Sequence, residues 1–224
     1  MKNRLKIKKA FTLAEVLITL LIIGVVASLV IPNIIQDTQD AELKTAWKKA
    51  YSEIAQATQK IMLDNGGTMK GIFTDSDVVK NVYKNYFSYT RDCNAGASSG
   101  KCWHKVNEYY YLYGDPYPSS GYSSIITSSG MFLVFFYNDN QCNDQIGTSQ
   151  YYRCAGITVD VNGFKRPNTW GKDIFSVFIL ENRILPNGIP NDFGWNRYCV
   201  GPDDPNYRSS SNGGQGCSAK YLYQ

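Results

Sequence analysis

Few residues in this chain have the type and spacing to do chemistry, and the most telling is a lone carboxylate. Glu15 lies near the start of a run of 21 residues, Phe11 to Ile31, that holds no other charge. In lipid a carboxylate is costly without a partner, so an ionisable residue there is a signal of function. A single acid has no second group with which to run acid–base catalysis. It can pair with a cation and penalise any arrangement that leaves it unpaired. The other candidates are weaker. His104 is the only histidine, beside Cys102 and Trp103, and alone it reads as a loop residue rather than a ligand or base. Gly96 to Gly100 is a formal G-x-S-x-G match around Ser98. A nucleophile elbow needs a strand before it and a helix after it, and here the match lies in a Gly/Ser loop between cysteines. No C-x-x-C, H-E-x-x-H or Walker-type loop is present. Asp160-x-Asn162-Gly163 is half a calcium loop without the spaced acidic partners. Calcium could be gathered in three dimensions by Asp139, Asp144, Asp203 and Asp204, although loop Asp residues more often serve turns. The pattern points away from an enzyme and away from a resident cofactor.

The element that must position Glu15 is an apolar helix. Twenty-one residues at 1.5 Å each span about 31 Å, enough for a bilayer's hydrocarbon core of roughly 30 Å. A basic head of Lys2, Arg4, Lys6, Lys8 and Lys9 precedes it and orients the N-terminus toward the cytoplasm. An ordinary secretory signal has a core of about 7–15 residues and an A-x-A-like site. This run is longer, carries Glu15 and shows no such site before Pro32. A plain signal anchor explains the length but gives no reason for the acid. The net charge of +4 belongs to the head: without its 5 basic residues, 18 basic side chains face 19 acidic ones, a balance of −1. Nothing global is left to suggest a nucleic-acid partner.

Taken together, the basic leader ending at Ala10, then Phe11, Thr12 and Leu13, with Glu15 four residues after Phe11, resemble the prepilin-type segment of type IV pilins and type II secretion pseudopilins. The leader of that family usually ends in Gly, and Ala10 keeps the small side chain. The resemblance implies cleavage between Ala10 and Phe11 by a prepilin peptidase and methylation of the new Phe11 amine. It also implies neutralisation of Glu15 by that amine on a neighbouring subunit, and a helix-kinking role for Pro32. The implied partners are the peptidase/methyltransferase, other pilin or pseudopilin subunits, membrane lipid and an assembly machinery with its own ATPase. The implied location is the cytoplasmic membrane, crossed once with the head outside, and afterwards a filament. The implied function is that of a structural subunit, with the long Tyr- and Cys-bearing head leaning toward a minor or surface-exposed pilin. The alternative is an anchored extracellular binding module that does not polymerise.

Past Pro32 the apolar positions Ile34, Ile35, Leu43, Ala46, Trp47, Ala50, Tyr51, Ile54, Ala57, Ile61 and Met62 recur at three and four residues. They predict an amphipathic helix ending at Asn65-Gly66-Gly67, its stripe facing a sheet. A coiled-coil seam is the alternative, but the spacing does not keep a strict heptad. Asp75 and its neighbours can cap a short helix to about Phe87, with Val78, Val79, Val82, Tyr83 and Phe87 inward. Strand signals follow at 125–127, 131–137, 154–161 and 173–180, with a short continuation at 183–186. The expected fold is therefore α+β: a long N-terminal helix, half transmembrane and half amphipathic, packed on an antiparallel sheet of about four strands. The expected divisions are a leader 1–10, a membrane half 11–31, an amphipathic half 32–64 and a head 65–224. The tyrosines at 109–122 read as a loop packed over the sheet, with an adhesive surface as the alternative. Val159 to Asn168, closing with Gly171 to Phe175, looks like a recurrent segment of pilin-like heads. Beyond Pro186 the chain is rich in Gly, Pro, Asn and Ser. Six cysteines, Cys93, Cys102, Cys142, Cys154, Cys199 and Cys217, on the extracytoplasmic side favour disulfides. Sequential pairing closes three local loops, among 15 connectivities that six cysteines allow.

Overall fold

The computed structural model describes residues 12–192, 199 and 213–223. The chain is α+β and divides into two compact units, Met1–Ala41 and Glu42–Gln224. Helix α1, Leu13–Asp64, contributes to both and contains Pro32. In the first unit its apolar side chains, Leu13 through Ile35, are exposed. In the second, Trp47, Ala50, Ile54, Ala57 and Ile61 form the buried stripe, with Leu43, Ala46, Tyr51 and Met62 partly buried beside it. Within the second unit the stripe that meets the sheet runs from Leu43 to Met62; Ile34 and Ile35, expected in it, belong to the first unit and are exposed. The helix ends where Asn65-Gly66-Gly67 begins, and both glycines adopt positive φ.

Helix α2, Ser76–Lys84, starts at Asp75, whose Oδ1 accepts the Val78 N–H at 2.9 Å. Its buried face is Val79, Lys80 and Tyr83, so a lysine stands where only apolar residues were expected. The strands are β1 (Tyr89–Cys93), β2 (Ser123–Thr127), β3 (Phe132–Tyr137), β4 (Asp144–Gln145), β5 (Tyr152–Asp160), β6 (Ile174–Leu180) and β7 (Ile184–Pro186). They form one antiparallel sheet in the order β1-β2-β3-β5-β6-β7, with β4 pairing β5. Seven strands replace the expected four because β1 and β4 have no apolar alternation to announce them. β1 exposes Tyr89 to Asp92 and exists by pairing with β2.

Both faces of the sheet are covered, which is why β6 is buried along its whole length. Leu133, Phe135, Ile157, Val159, Phe175 and Val177 face the helix stripe; the Trp47 and Phe175 rings stack with centroids 4.8 Å apart. On the other face Phe132, Val134 and Ile174 pack against Trp103, Tyr109, Tyr111 and Trp170. The tyrosine-rich loop is therefore packed over the sheet. A third helix, α3, Cys217–Tyr223, closes the described chain within a stretch that reads from sequence as loop. It is held at three points: Trp47 Nε1–H donates to the Ser218 carbonyl at 3.0 Å, Ser176 N–H to Ser218 Oγ at 2.9 Å, and Ala219 N–H to the Asn187 carbonyl at 2.9 Å.

Candidate functional site

Two sites follow from the sequence, the N-terminal segment and the disulfide-bearing head. At the first, α1 begins with a reciprocal cap. Thr12 N–H and Thr12 Oγ1–H both donate to Glu15 Oε2 at 2.8 Å, and Glu15 N–H donates back to Thr12 Oγ1 at 3.2 Å. This is a capping box, in which an N-cap hydroxyl and a carboxylate three residues on satisfy each other's backbone donors. The Thr12-x-x-Glu15 spacing carries that signal in the sequence, yet Glu15 reads there only as a pairing charge. After Glu15 comes an exposed apolar surface, from Val16 to Ile31. The helix is long and apolar enough, by length and composition, to cross a membrane. The cleavage-site residues Ala10 and Phe11 lie outside the described residues.

In the head, the cysteines form the pairs Cys93–Cys102, Cys142–Cys154 and Cys199–Cys217. The first joins the end of β1 to the loop that carries His104, and the second joins the β3–β4 connection to β5. Each closes a short loop and restricts the unfolded chain, an effect of about 2–4 kcal/mol for loops of this size.

His104 is not a simple loop residue. It is fully buried, and its Nε2 lies 2.7 Å from Asp160 Oδ2. Asp160 Oδ1 also accepts the N–H groups of Asn162 and Gly163, at 3.0 and 2.7 Å. Nearby Asp173, equally buried, accepts those of Asn168 and Thr169, at 2.7 and 2.6 Å. These two carboxylates shape the whole β5–β6 connection by capping its turns. Burial disfavours charge throughout. It lowers His104 from 6.5 to about 4, against the pull of Asp173 and Glu108. It raises Asp160 well above the usual carboxylate range, and it pushes Asp173 up to about 7, helped by Asp160. The His104–Asp160 contact is thus a hydrogen bond that ties two loops, with no exposed face for a substrate. Side-chain NMR is expected to find the imidazole neutral until the pH falls to about 4. Between 6.5 and 4 the unfolded chain binds a proton that the folded one does not. This residue's contribution to stability is therefore present above about 6.5 and lost as the pH falls through 4. Asp173 acts with opposite sign: its contribution is present below 3.8 and lost as the pH rises through 7.

Other polar groups are equally structural. Buried Lys80 reaches Asp92 at 2.5 Å and also contacts Asn94, tying α2 to β1. Ser98 is buried in a turn five residues past the end of β1, separated from that strand by another turn and with no helix after it. Its carbonyl accepts the N–H groups of Lys101, Cys102 and Trp103. No nucleophile elbow is built there. Of the calcium candidates, Asp139 caps Gln141 and Asn143, and Asp144 pairs with Arg153 at 2.7 Å. Asp203 and Asp204 lie outside the described residues. Among the described residues no cluster of three or more His, Cys, Asp or Glu is placed to hold a metal.

Residues 5–31 match the family model described as the prokaryotic N-terminal methylation motif. No curated protein and no solved structure matches the chain. The matched segment contains Ala10, Phe11, Thr12 and Glu15, and it is the prepilin-type signal of type IV pilins and pseudopilins.

Proposed function

We propose that this chain is a prepilin-like structural subunit, cleaved between Ala10 and Phe11, methylated at Phe11 and assembled through α1 into a type IV pilus or a secretion pseudopilus. The observation that carries the reading is the coincidence of the methylation motif at 5–31 with an exposed apolar helix surface bearing Glu15. In this reading residues 1–10 are leader and 11–31 the membrane segment, crossed once with the N-terminus cytoplasmic. Residues 32–64 continue as the amphipathic half under the head of 65–224. Pro32 marks the place where the helix can bend, since a proline removes one intrahelical hydrogen bond. A prepilin peptidase/methyltransferase is the first partner. Further copies or related subunits follow, and a separate ATPase drives extraction from the lipid. The head, tied by disulfides and carrying an aromatic loop over its outer sheet face, suits an exposed, minor position.

Mass spectrometry of the mature protein tests this. The expected N-terminus is N-methyl-phenylalanine at Phe11. Cleavage beyond residue 25, or an intact leader, would overturn the reading. Correct processing with no filament would favour the anchored binding module.

A further inference from the structure

The segment from Asp160 to Asp173 carries charge in an unusual division. Its two carboxylates are turned inward and buried, each capping backbone N–H groups, while Lys165, Arg166 and Lys172 are exposed. The neighbouring loop adds exposed Lys101 and Lys105. The two loops lie side by side. The His104 and Phe164 rings stand 5.6 Å apart, Tyr110 N–H donates to the Asn168 carbonyl at 2.9 Å, and Trp170 N–H donates to the Tyr110 carbonyl at 2.9 Å. Of the exposed acids on these loops, Glu108 lies 3.5 Å from Lys105, and Asp115 stands next to Pro116, which pairs with Tyr110. On the rest of the head some cations, such as Lys49, Lys70, Lys84 and Arg153, stand beside a carboxylate, while others, such as Lys48 and Lys60 on α1, have no ion-pair partner among the described residues. What sets this surface apart is that its cations lie on two adjacent loops beside an exposed ring. Lys101, Lys165, Arg166 and Lys172 have no ion-pair partner among the described residues. Amid these cations Phe164 is 49% exposed; one side of its ring is fixed edge-on against Phe132, 4.5 Å away.

We propose that this surface binds a single nucleic-acid strand, with backbone phosphates on Lys101, Lys105, Lys165 and Arg166 and a base stacked on Phe164. These cations, of which only Lys105 faces a carboxylate, supply the sequence-independent attraction to phosphate. An exposed, pre-positioned aromatic ring among them supplies the second element of single-strand binding, a platform for a base. The near-neutral balance of the chain past its leader hides this local asymmetry, because the buried Asp160 and Asp173 count against it in the total without screening it at the surface. The inference stands apart from the filament reading, which depends on the N-terminal segment.

The test uses the full chain in nonionic detergent and a fluorescent oligothymidylate, with anisotropy followed across a salt series. Binding is expected to be saturable at low salt and to weaken steeply as salt rises. The double variant K165A/R166A should weaken it at least tenfold and reduce the slope of log K against log salt by about 1.4, two single-strand phosphate contacts. Phe164→Ala should weaken it about tenfold without changing that slope. All three side chains are exposed, and thermal unfolding should report unchanged heads. Absent binding, or an equal loss in the helix variant K48A/K60A, would overturn the site. Heparin bound as tightly, with the same dependence on Phe164, would overturn the nucleic-acid assignment.

Discussion

Gly188→Ala is expected to cost the head about 3 kcal/mol or more, a large share of the 5–15 kcal/mol that holds a typical domain together. Gly188 has φ +101, a conformation that L side chains rarely adopt, and a Cβ there would lie 1.9 Å from the Gly216 carbonyl oxygen. The oxygen belongs to backbone and the position of a Cβ is fixed by its own backbone, so no rotamer change relieves the clash; the 213–217 segment must move. That segment leads directly into α3, and displacing it pulls Ser218 away from Trp47 and Ser176. A buried indole N–H and a buried strand N–H would then lose their acceptors, each at about 1–3 kcal/mol. Denaturant unfolding followed by tryptophan fluorescence measures the loss. Gly66→Ala is the control. Its φ of +73 imposes a comparable backbone strain, but nothing lies within 4 Å of the added carbon. It should cost only about 1–2 kcal/mol. Equal effects at the two positions would mean that close approach to Gly216 does not govern the C-terminal lock.

The same contrast between local and distant causes explains what could be read before the fold was known. The stripe from Leu43 to Met62, the β2–β3 hairpin and strands β5 and β6 are legible because each is a local pattern of apolar residues. β1 is not, since Tyr89 to Asp92 face solvent and only a partner strand makes them a strand. α3 has seven residues, too few to form a helix by propensity; Trp47, from the far end of the chain, holds it in place. His104 reads as unremarkable because its hydrogen-bond partner, Asp160, lies 56 residues away. Lys80 is hidden for a related reason: its burial is tolerated because Asp92 meets it from β1. The N-terminal segment is the opposite case. Its chemistry is written in spacing alone, and even the Thr12–Glu15 cap is present as a three-residue interval.

Glu15→Ala is expected to leave membrane insertion and leader cleavage intact while reducing filament yield at least tenfold. Insertion depends on the apolar run, and replacing an acid within it by alanine makes the segment more apolar. The variant loses the reciprocal cap with Thr12, at about 1 kcal/mol, a small penalty for a helix of 52 residues. Assembly is different. In the proposed filament Glu15 meets the methylated Phe11 amine of a neighbour at low dielectric, and removing one member of such a pair leaves the other charge uncompensated, at about 3–5 kcal/mol. A tenfold loss requires only about 1.4 kcal/mol of that. Glu15→Gln separates the two roles, because the amide oxygen can still accept from Thr12 while carrying no charge. If charge sets the register, the Gln variant fails like Ala; if the cap is what assembly needs, it assembles like the parent. Immunoblots of sheared filament against membrane fractions, with the mature N-terminus checked by mass spectrometry, decide between them. Wild-type filament yield in the Ala variant would remove Glu15 from assembly altogether and leave the capping box as its whole role.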